Sequence, residues 1–140
     1  MKPTRRAALG GAMGFAFASP AAAREPRRIV SLNPCLDTIL VHVADRGQIA
    51  ALSHYAREAE TSTIADVANT LPFTYESAEE IMAQRPDLVL ASRHSAPATR
   101  QALARLGVPV ATFSVPDTIE QSLAQILEIA GLVRREARGA

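Results

Sequence analysis

Cysteine is nearly absent from this 140-residue chain, where Cys35 is the only one. A disulfide within the chain is therefore excluded. The thiol also lies well past the small residues at Ala21 to Ala23, so it lacks the position of a lipid-attachment cysteine next to an apolar signal. We predict that Cys35 is a free, partly buried thiol that packs like a small apolar side chain.

A long apolar run is also missing. The apolar stretch near the start, Ala7 to Ala18, is about 12 residues, whereas a membrane-spanning helix needs about 20. The stretch therefore suits the apolar part of a cleaved signal better than a membrane anchor.

The start of the chain has the remaining features of an export signal. Lys2, Arg5 and Arg6 form a basic region, and Ala21 and Ala23 suit the two small positions before a cleavage site. The paired arginines also fit a twin-arginine signal, so both the Sec and the twin-arginine route stay open. We predict a signal peptide over residues 1–23, a mature domain over residues 24–140 and a periplasmic location.

An excess of positive charge is absent from the predicted mature domain. The whole chain has 15 basic and 14 acidic residues, and removing Lys2, Arg5 and Arg6 leaves 12 against 14. No run of Lys and Arg with interleaved aromatic residues remains. Nucleic acid is therefore not an expected partner.

The motifs of the common enzyme classes are missing as well. The chain has no glycine-rich phosphate loop, no GxSxG turn and no catalytic spacing of Cys and His. A nucleophile pair of Cys35 and His94 is conceivable, but no third group to orient the histidine can be named. We therefore expect a protein that is not an enzyme, with no catalytic residues.

Apolar strands that alternate with helical patterns are what the chain does contain. Strands are predicted at four places: Arg27–Leu32, Ile49–Leu52, Leu88–Ala91 and Val108–Phe113. Because strands alternate with helices, the pattern favours an α/β fold in which helices cover both faces of a parallel sheet. Residues 56–74 are poorly periodic and are predicted to form a loop with at most a turn of helix.

The predicted helices have recognisable ends. Asn33 is expected to cap a first helix with Pro34 at its first position, and Gly47 is expected to end it. Ser77 and Glu80 fit a reciprocal capping box, in which each side chain bonds to the other residue's amide. A last helix, capped by residues 117–120, is predicted to bury one apolar face made of Ile119, Leu123, Ile126, Leu127 and Ala130.

Polar and aromatic residues follow the predicted strands. In parallel α/β sheets, ligands bind at the carboxyl ends of the strands. This rule brings the following residues to one edge: Asn33, Pro34, Cys35, His54, Tyr55, Arg93, His94 and Ser114. Phe73 and Tyr75, in the long loop, are expected to overhang the same edge.

Four stretches of the chain resemble one known family in order and spacing. They are Arg28 to Pro34, Ser77 to Ala91, Leu106 to Val110, and Ile119-Glu120 with its helix. Together they resemble the N-terminal lobe of periplasmic substrate-binding proteins that serve ABC importers of cobalamin, ferric siderophores and haem. The resemblance covers almost all of the predicted mature chain.

The resemblance implies a Rossmann-like lobe of a two-lobed protein that holds its ligand between the lobes. It implies that the ligand is a cobalt or iron chelate and that Glu79, or alternatively Glu80, docks onto the membrane permease. The family's long connecting helix would begin near Arg134, so the second lobe is expected to be absent. The chain is then a truncated product, or it pairs with a second-lobe chain.

Several of the edge residues have two interpretations. Tyr55 and Phe73 are suited to stacking against a flat ligand and equally to ordinary packing. Arg93 suits a carboxylate or phosphate on a ligand, or it is a solvated loop residue. Asn33 is a helix cap first and a ligand contact second. His54 and His94 have no spaced carboxylate or cysteine partner, so no metal site and no resident cofactor are predicted.

The sequence therefore favours an extracytoplasmic substrate-binding component, or one lobe of it. Its expected partners are an ABC importer permease and a small metal chelate. A stand-alone lobe that acts as an interaction or regulatory module, or a metal-ion binding protein, is the alternative.

Overall fold

The structure is a computed structural model that describes residues 24–140. The predicted signal peptide lies outside the described residues. Five strands are described: β1 (Ile29–Ser31), β2 (Ile49–Ser53), β3 (Phe73–Thr74), β4 (Leu88–Ser92) and β5 (Val110–Phe113). The helices are α1 (Pro34–Val43), α2 (Ala65–Ala68), α3 (Ala78–Ala83), α4 (Pro97–Arg105), α5 (Ile119–Leu132) and α6 (Glu136–Gly139).

The strands form one parallel sheet in the order β3-β2-β1-β4-β5. The predicted α/β class with a parallel sheet is confirmed. The prediction of four strands was wrong, because β3 lies in the stretch that was expected to be a loop. It has only two residues, Phe73 and Thr74, and pairs with the end of β2.

Side chains that alternate along the strands fill two separate cores, one on each face of the sheet. Ile29 and Leu90 point to the first face, where they pack with Leu40 of α1 and Ile129 of α5. Neighbouring strand residues point to the second face, and this core contains Val30, Val89, Ile81 of α3 and Leu103 of α4. Helices therefore cover both faces of the sheet. The ends of the strands are the part of the sheet that these two helical layers leave uncovered.

The start of α1 follows the prediction, but its end does not. The Asn33 side chain accepts hydrogen bonds from the amides of Cys35 and Leu36, and Pro34 is the first helical residue. The helix ends at Val43 with Ala44 as its cap, so the prediction for Gly47 was wrong. Gly47 instead lies in a short 3₁₀ turn, Arg46–Gln48, that leads into β2.

The capping box at α3 forms only in part. The Ser77 hydroxyl accepts the Glu80 amide, as predicted. The Glu80 carboxylate does not return to Ser77; it accepts hydrogen bonds from the Thr74 hydroxyl and the Tyr75 amide. Glu80 therefore connects the start of α3 to the end of β3.

The predicted buried face of α5 was wrong for three of its five residues. Ile119, Leu123 and Leu127 are 75%, 56% and 50% exposed, whereas Ile129 and Ala130 are fully buried. The helix packs on α1 through the residues near its carboxyl end, and its other apolar stripe faces outward.

Ion pairs and hydrogen bonds cover the amino edge of the sheet, which is the side where the parallel strands begin. The Arg135 guanidinium contacts Glu25 at 2.7 Å and Asp45 at 2.5 Å, and Arg138 contacts Asp45 at 2.7 Å. Beneath them, the buried Gln48 amide donates to the carbonyl oxygens of Pro26 and Val133. Within residues 24–140, no helix is both long and apolar enough to span a membrane.

Candidate ligand-binding site

The first turn of α1 lies at the centre of the carboxyl edge, with a groove on each side. Asn33, Cys35, Ser92 and Ser114 line the first groove together, so the turns after β1, β4 and β5 share one surface. This groove opens towards Arg93 into a wider space of about 540 Å³. The shared edge is the geometry that a ligand pocket at this place requires.

The second groove lies on the other side of the same turn. It has a volume of about 340 Å³ and runs between the start of α1 and the loop after the turn His54–Arg57. Five of its eight lining residues carry a hydroxyl group; the lining is made of Pro34, Cys35, Thr38, Tyr55, Glu58, Thr61, Ser62 and Thr63. Cys35 lines both grooves and is exposed, so the prediction that it is partly buried was wrong.

Four aromatic rings form a cluster beside the second groove. The ring centroids of His54 and Tyr55 are 3.8 Å apart, and those of His54 and Tyr75 are 4.8 Å apart. Phe73 meets Tyr75 edge to face at 5.4 Å. Tyr55 is 43% exposed and Tyr75 is 65% exposed, so this aromatic cluster offers phenol rings to a ligand.

Phe73 is the least available member of the cluster. The Arg57 guanidinium lies 4.0 Å from the centre of its ring, and Arg57 also donates to the carbonyl oxygens of Ala68 and Leu71. A cation over the ring face occupies the surface that a flat ligand would need. Phe73 therefore packs against Tyr75 and Arg57, and Tyr55 and Tyr75 are the more exposed rings of the cluster.

The turn after β4 carries Arg93, which lines the wider space next to the first groove. The Arg93 side chain is exposed and donates to the Ser114 hydroxyl at 3.1 Å. His94 follows it with its amide bonded to Ser92, and its side chain is exposed and lines neither groove. Of the two, Arg93 is the residue placed to meet an anionic group on a ligand.

A carboxyl group is buried directly below this surface. Asp37 of α1 has no exposed area and accepts a 2.5 Å hydrogen bond from the Ser53 hydroxyl and a 3.3 Å bond from its amide. Burial raises the pKa of Asp37 to about 7, against the lowering effects of Ser31 and Ser53. The Ser31 hydroxyl is outside hydrogen-bonding geometry, so we take Ser53 as the residue that holds the carboxyl.

A second carboxyl group lies near the aromatic cluster. Glu76 has a φ of 72°, and burial raises its pKa while His54 lowers it. The Nδ1 atom of His54 is itself buried without a hydrogen-bond partner. Glu76 therefore interacts electrostatically with Asp37 on one side and with His54 of the aromatic cluster on the other.

The two glutamates predicted for permease docking differ in their surroundings. Glu79 is exposed in the first turn of α3. Glu80 is half-buried, and its carboxylate accepts hydrogen bonds from the Thr74 hydroxyl and the Tyr75 amide. Only Glu79 offers its carboxylate to a partner.

No metal cluster forms at the predicted edge in the described part of the chain. Within residues 24–140, no three His, Cys, Asp or Glu side chains converge as a metal site would require. His54 packs against two tyrosine rings, whereas His94 is exposed and lines neither groove.

Most of the residues predicted from the sequence for this surface do lie at one edge, but the residues that pack beneath and behind it were not predicted. Asn33, Pro34, Cys35, Tyr55 and Arg93 all line a groove. Two residues were missed entirely, Asp37 under the surface and Arg57 behind Phe73. A carboxylate three residues after a helix-opening proline, on an otherwise apolar helix face, is the sequence signal that could have identified Asp37.

The sequence profile of the periplasmic binding protein family matches residues 29–140. This chain belongs to that family. The match covers the sheet and its helices, including both grooves. No curated protein sequence matches the chain.

Solved structures of periplasmic proteins have the same fold. A possible iron-binding, solute-binding protein of Staphylococcus epidermidis has a TM-score of 0.70 at 24% identity, covering 83% of this chain and 45% of that one. The haem-binding protein RhuT of Roseiflexus has a TM-score of 0.61 at 26% identity, with coverages of 80% and 44%.

A vitamin B12 binding protein, BtuF of Vibrio cholerae, has a TM-score of 0.63 at 22% identity, with coverages of 82% and 44%. This chain therefore spans less than half the length of these similar structures. It corresponds to one lobe of them, which agrees with the predicted single-lobe architecture.

Proposed function

We propose that this chain is the substrate-binding component of an ABC importer, or one lobe of it, and that it captures a cobalt or iron chelate in the periplasm. The observation that carries the proposal is the shared edge: two grooves flank the first turn of α1, with Tyr55 at one side and Arg93 at the other. Membership of the periplasmic binding protein family supports the same role.

The chemistry of the edge favours a flat chelate with acidic groups at its rim, such as haem, over a compact ion. Tyr55 and Tyr75 present exposed phenol rings, which stack on conjugated ring systems. Arg93 lies across α1 from them and suits a carboxylate, which it binds through two parallel hydrogen bonds. Several solved structures with this fold are described as haem-binding, which supports this choice.

Calorimetric titration of the purified protein with haem, cyanocobalamin and ferrichrome tests the proposal. We expect haem to bind most tightly, with micromolar affinity, because one lobe encloses only part of a ligand. The Arg93→Ala variant should bind haem about tenfold more weakly, corresponding to about 1.4 kcal/mol.

Arg105→Ala is the matched control, since Arg105 is an exposed arginine at the far end of α4. It should bind haem like the wild type. If none of the three chelates binds, or if both arginine variants weaken binding equally, the proposed site is wrong.

We further propose that Glu79 contacts the importer permease. Its exposed carboxylate in the first turn of α3 supports this choice over Glu80. Glu79→Lys should reduce co-purification with the permease, whereas Glu120→Lys, a matched first-turn glutamate of α5, should not. An equal reduction in both variants would reject the assignment.

A stand-alone interaction module is the second candidate, and the outward apolar stripe of α5 favours it. Ile119, Leu123 and Leu127 are spaced by four residues along α5, Val115 lies just before the helix, and each of the four is at least half exposed. Size-exclusion chromatography with and without haem separates the two candidates. A ligand-independent complex that is lost in Leu123→Gln would support the module, and a monomer that binds haem would reject it.

A further inference from the structure

We propose that Asp37 is the positioning residue of the ligand-binding edge: through Ser53 it holds the turn that carries His54 and Tyr55 against the first turn of α1. The proposal rests on the proposed function only in treating this edge as the binding surface. Asp37 itself touches neither groove and is fully buried.

The geometry makes Asp37 a bridge between two elements. It belongs to the first turn of α1, in which the exposed Cys35 lines both grooves and the exposed Pro34 lines the second. Its carboxylate accepts both the hydroxyl and the amide of Ser53, the last residue of β2. The aromatic residues His54 and Tyr55 follow at once, so the direction in which the chain leaves β2 depends on these two bonds.

Few groups act on this carboxyl from the elements around it. Ser31 faces it from β1 and Ser53 from β2, and Glu76 is the charged group that acts on it from the segment after β3. Glu76 in turn interacts with His54. The carboxyl is therefore connected to both sides of the aromatic cluster, since Tyr55 follows β2 and Tyr75 precedes Glu76.

A buried carboxyl is a poor choice for stability alone. Burial disfavours its charged form, and an uncharged side chain of the same shape would fill this position without that cost. Groups of this kind are concentrated at functional sites. The charged carboxylate accepts hydrogen bonds from both the hydroxyl and the amide of Ser53. When the carboxyl is protonated, one of its oxygens becomes a hydrogen-bond donor. The Ser53 hydroxyl must then rotate away or accept a hydrogen bond from that oxygen.

The two tyrosines report on this arrangement without any ligand. Tyr55 and Tyr75 are the only tyrosines and the chain has no tryptophan, so near-ultraviolet circular dichroism and acrylamide quenching of tyrosine emission both observe the aromatic cluster. We expect the wild-type signals to change with pH around neutrality. Asp37→Asn should remove that transition while far-ultraviolet circular dichroism stays that of the wild type.

Two more variants test whether the pH transition belongs to the Asp37 carboxyl, by changing the groups that act on it. Ser53→Ala removes a hydrogen bond that favours the charged carboxyl, so the transition should move to higher pH. Glu76→Gln removes a negative charge that disfavours it, so the transition should move to lower pH. Asp66→Asn, an exposed acidic residue of α2, is the control and should leave the transition in place.

Haem titration of the same variants completes the test. Asp37→Asn should weaken haem binding about fivefold or more with its fold intact, and Asp66→Asn should not. If the wild type binds no haem, the proposed function fails while the tyrosine signals still decide the role of Asp37. If Asp37→Asn keeps both the wild-type tyrosine signals and their pH dependence, or if Ser53→Ala leaves the transition unmoved, Asp37 does not position this surface.

Discussion

The two edges of the sheet use acidic residues in opposite ways. At the amino edge, Asp45 is paired with Arg135 and Arg138, whose hydrogen bonds hold its pKa below the usual range. At the carboxyl edge, Asp37 has no basic partner, and burial raises its pKa to about 7. The ion pairs of the amino edge stabilise the fold, whereas the buried carboxylate of the carboxyl edge destabilises it.

The same contrast holds for the surface around each carboxyl. Gln48, Arg135 and their partners cover the amino edge and connect Glu25 and Pro26, which precede β1, to the end of α5. The carboxyl edge instead exposes Tyr55 and Tyr75 beside two grooves. With the proposed binding at the carboxyl edge, substitutions at the two edges should differ in how they change stability and ligand binding.

The largest expected effect is that of Asp37→Asn, which should raise the free energy of unfolding although substitutions of buried residues usually lower it. Because the pKa of Asp37 is higher in the folded state than in the unfolded chain, the folded state binds more protons between about pH 4 and pH 7, and stability falls as pH rises through that window. Asp37→Asn should therefore stabilise the protein at about pH 8, by up to roughly 4 kcal/mol at about 1.4 kcal/mol per pKa unit.

Urea unfolding at about pH 8 and pH 4 measures this effect, which should be near zero at the lower pH. Asp66→Asn should show no difference at either pH. An Asp37→Asn protein that is less stable than the wild type at pH 8 would contradict the contrast between the two edges.

The next largest effect is at the amino edge and has the opposite sign. Gln48 is buried, and its amide satisfies the carbonyl oxygens of Pro26 and Val133. Gln48→Ala leaves both without a donor and should cost about 2 kcal/mol. Urea unfolding measures the loss, and calorimetry should show unchanged haem binding; Gln101→Ala, an exposed glutamine of α4, is the control.

A smaller effect is expected for the ion pairs of the same edge. The lowered pKa of Asp45 means that its contribution is present above the unfolded value of 3.8 and is lost as pH falls through the lower folded value. Asp45→Asn should lower the thermal midpoint slightly at neutral pH, less at high salt, and not at all in acid. A loss that is equal at neutral and acid pH would argue against an ion-pair origin.

The smallest effect on stability is expected for the most exposed ring. Tyr75→Ala removes a side chain that is 65% exposed and should change the free energy of unfolding by no more than about 0.5 kcal/mol. Haem binding should nevertheless weaken by at least threefold. Leu106→Ala, at the other edge and 59% exposed, should change neither quantity.

The parts of the fold that depend on neighbouring residues were predictable from the sequence. Asn33 and Pro34 start α1 because a cap and a fixed φ act within one turn, and Gly107, with a φ of 72°, ends α4 for the same kind of reason. Convergence of the strand ends followed from parallel topology alone.

The errors all arose where distant parts of the chain decide the outcome. The apolar pattern of α5 has two faces, and only packing against α1 determines that Ile129 and Ala130 are buried while Ile119 and Leu123 are not. Strand β3 is too short to show an alternating pattern. Asp37 was missed because its partner Ser53 is 16 residues away, and a charged residue in an isolated helix pattern is expected to face solvent.

Amide chemical-shift mapping by NMR tests the central claim most directly. Cyanocobalamin and gallium protoporphyrin are diamagnetic chelates that can be added to the labelled protein. We predict that at least one of them shifts the amide signals of Cys35, Tyr55, Tyr75, Arg93 and Ser114 and leaves those of Glu25, Asp45 and Arg135 in place. Shifts confined to the amino edge, or none with either chelate, would contradict the assignment of binding to the carboxyl edge.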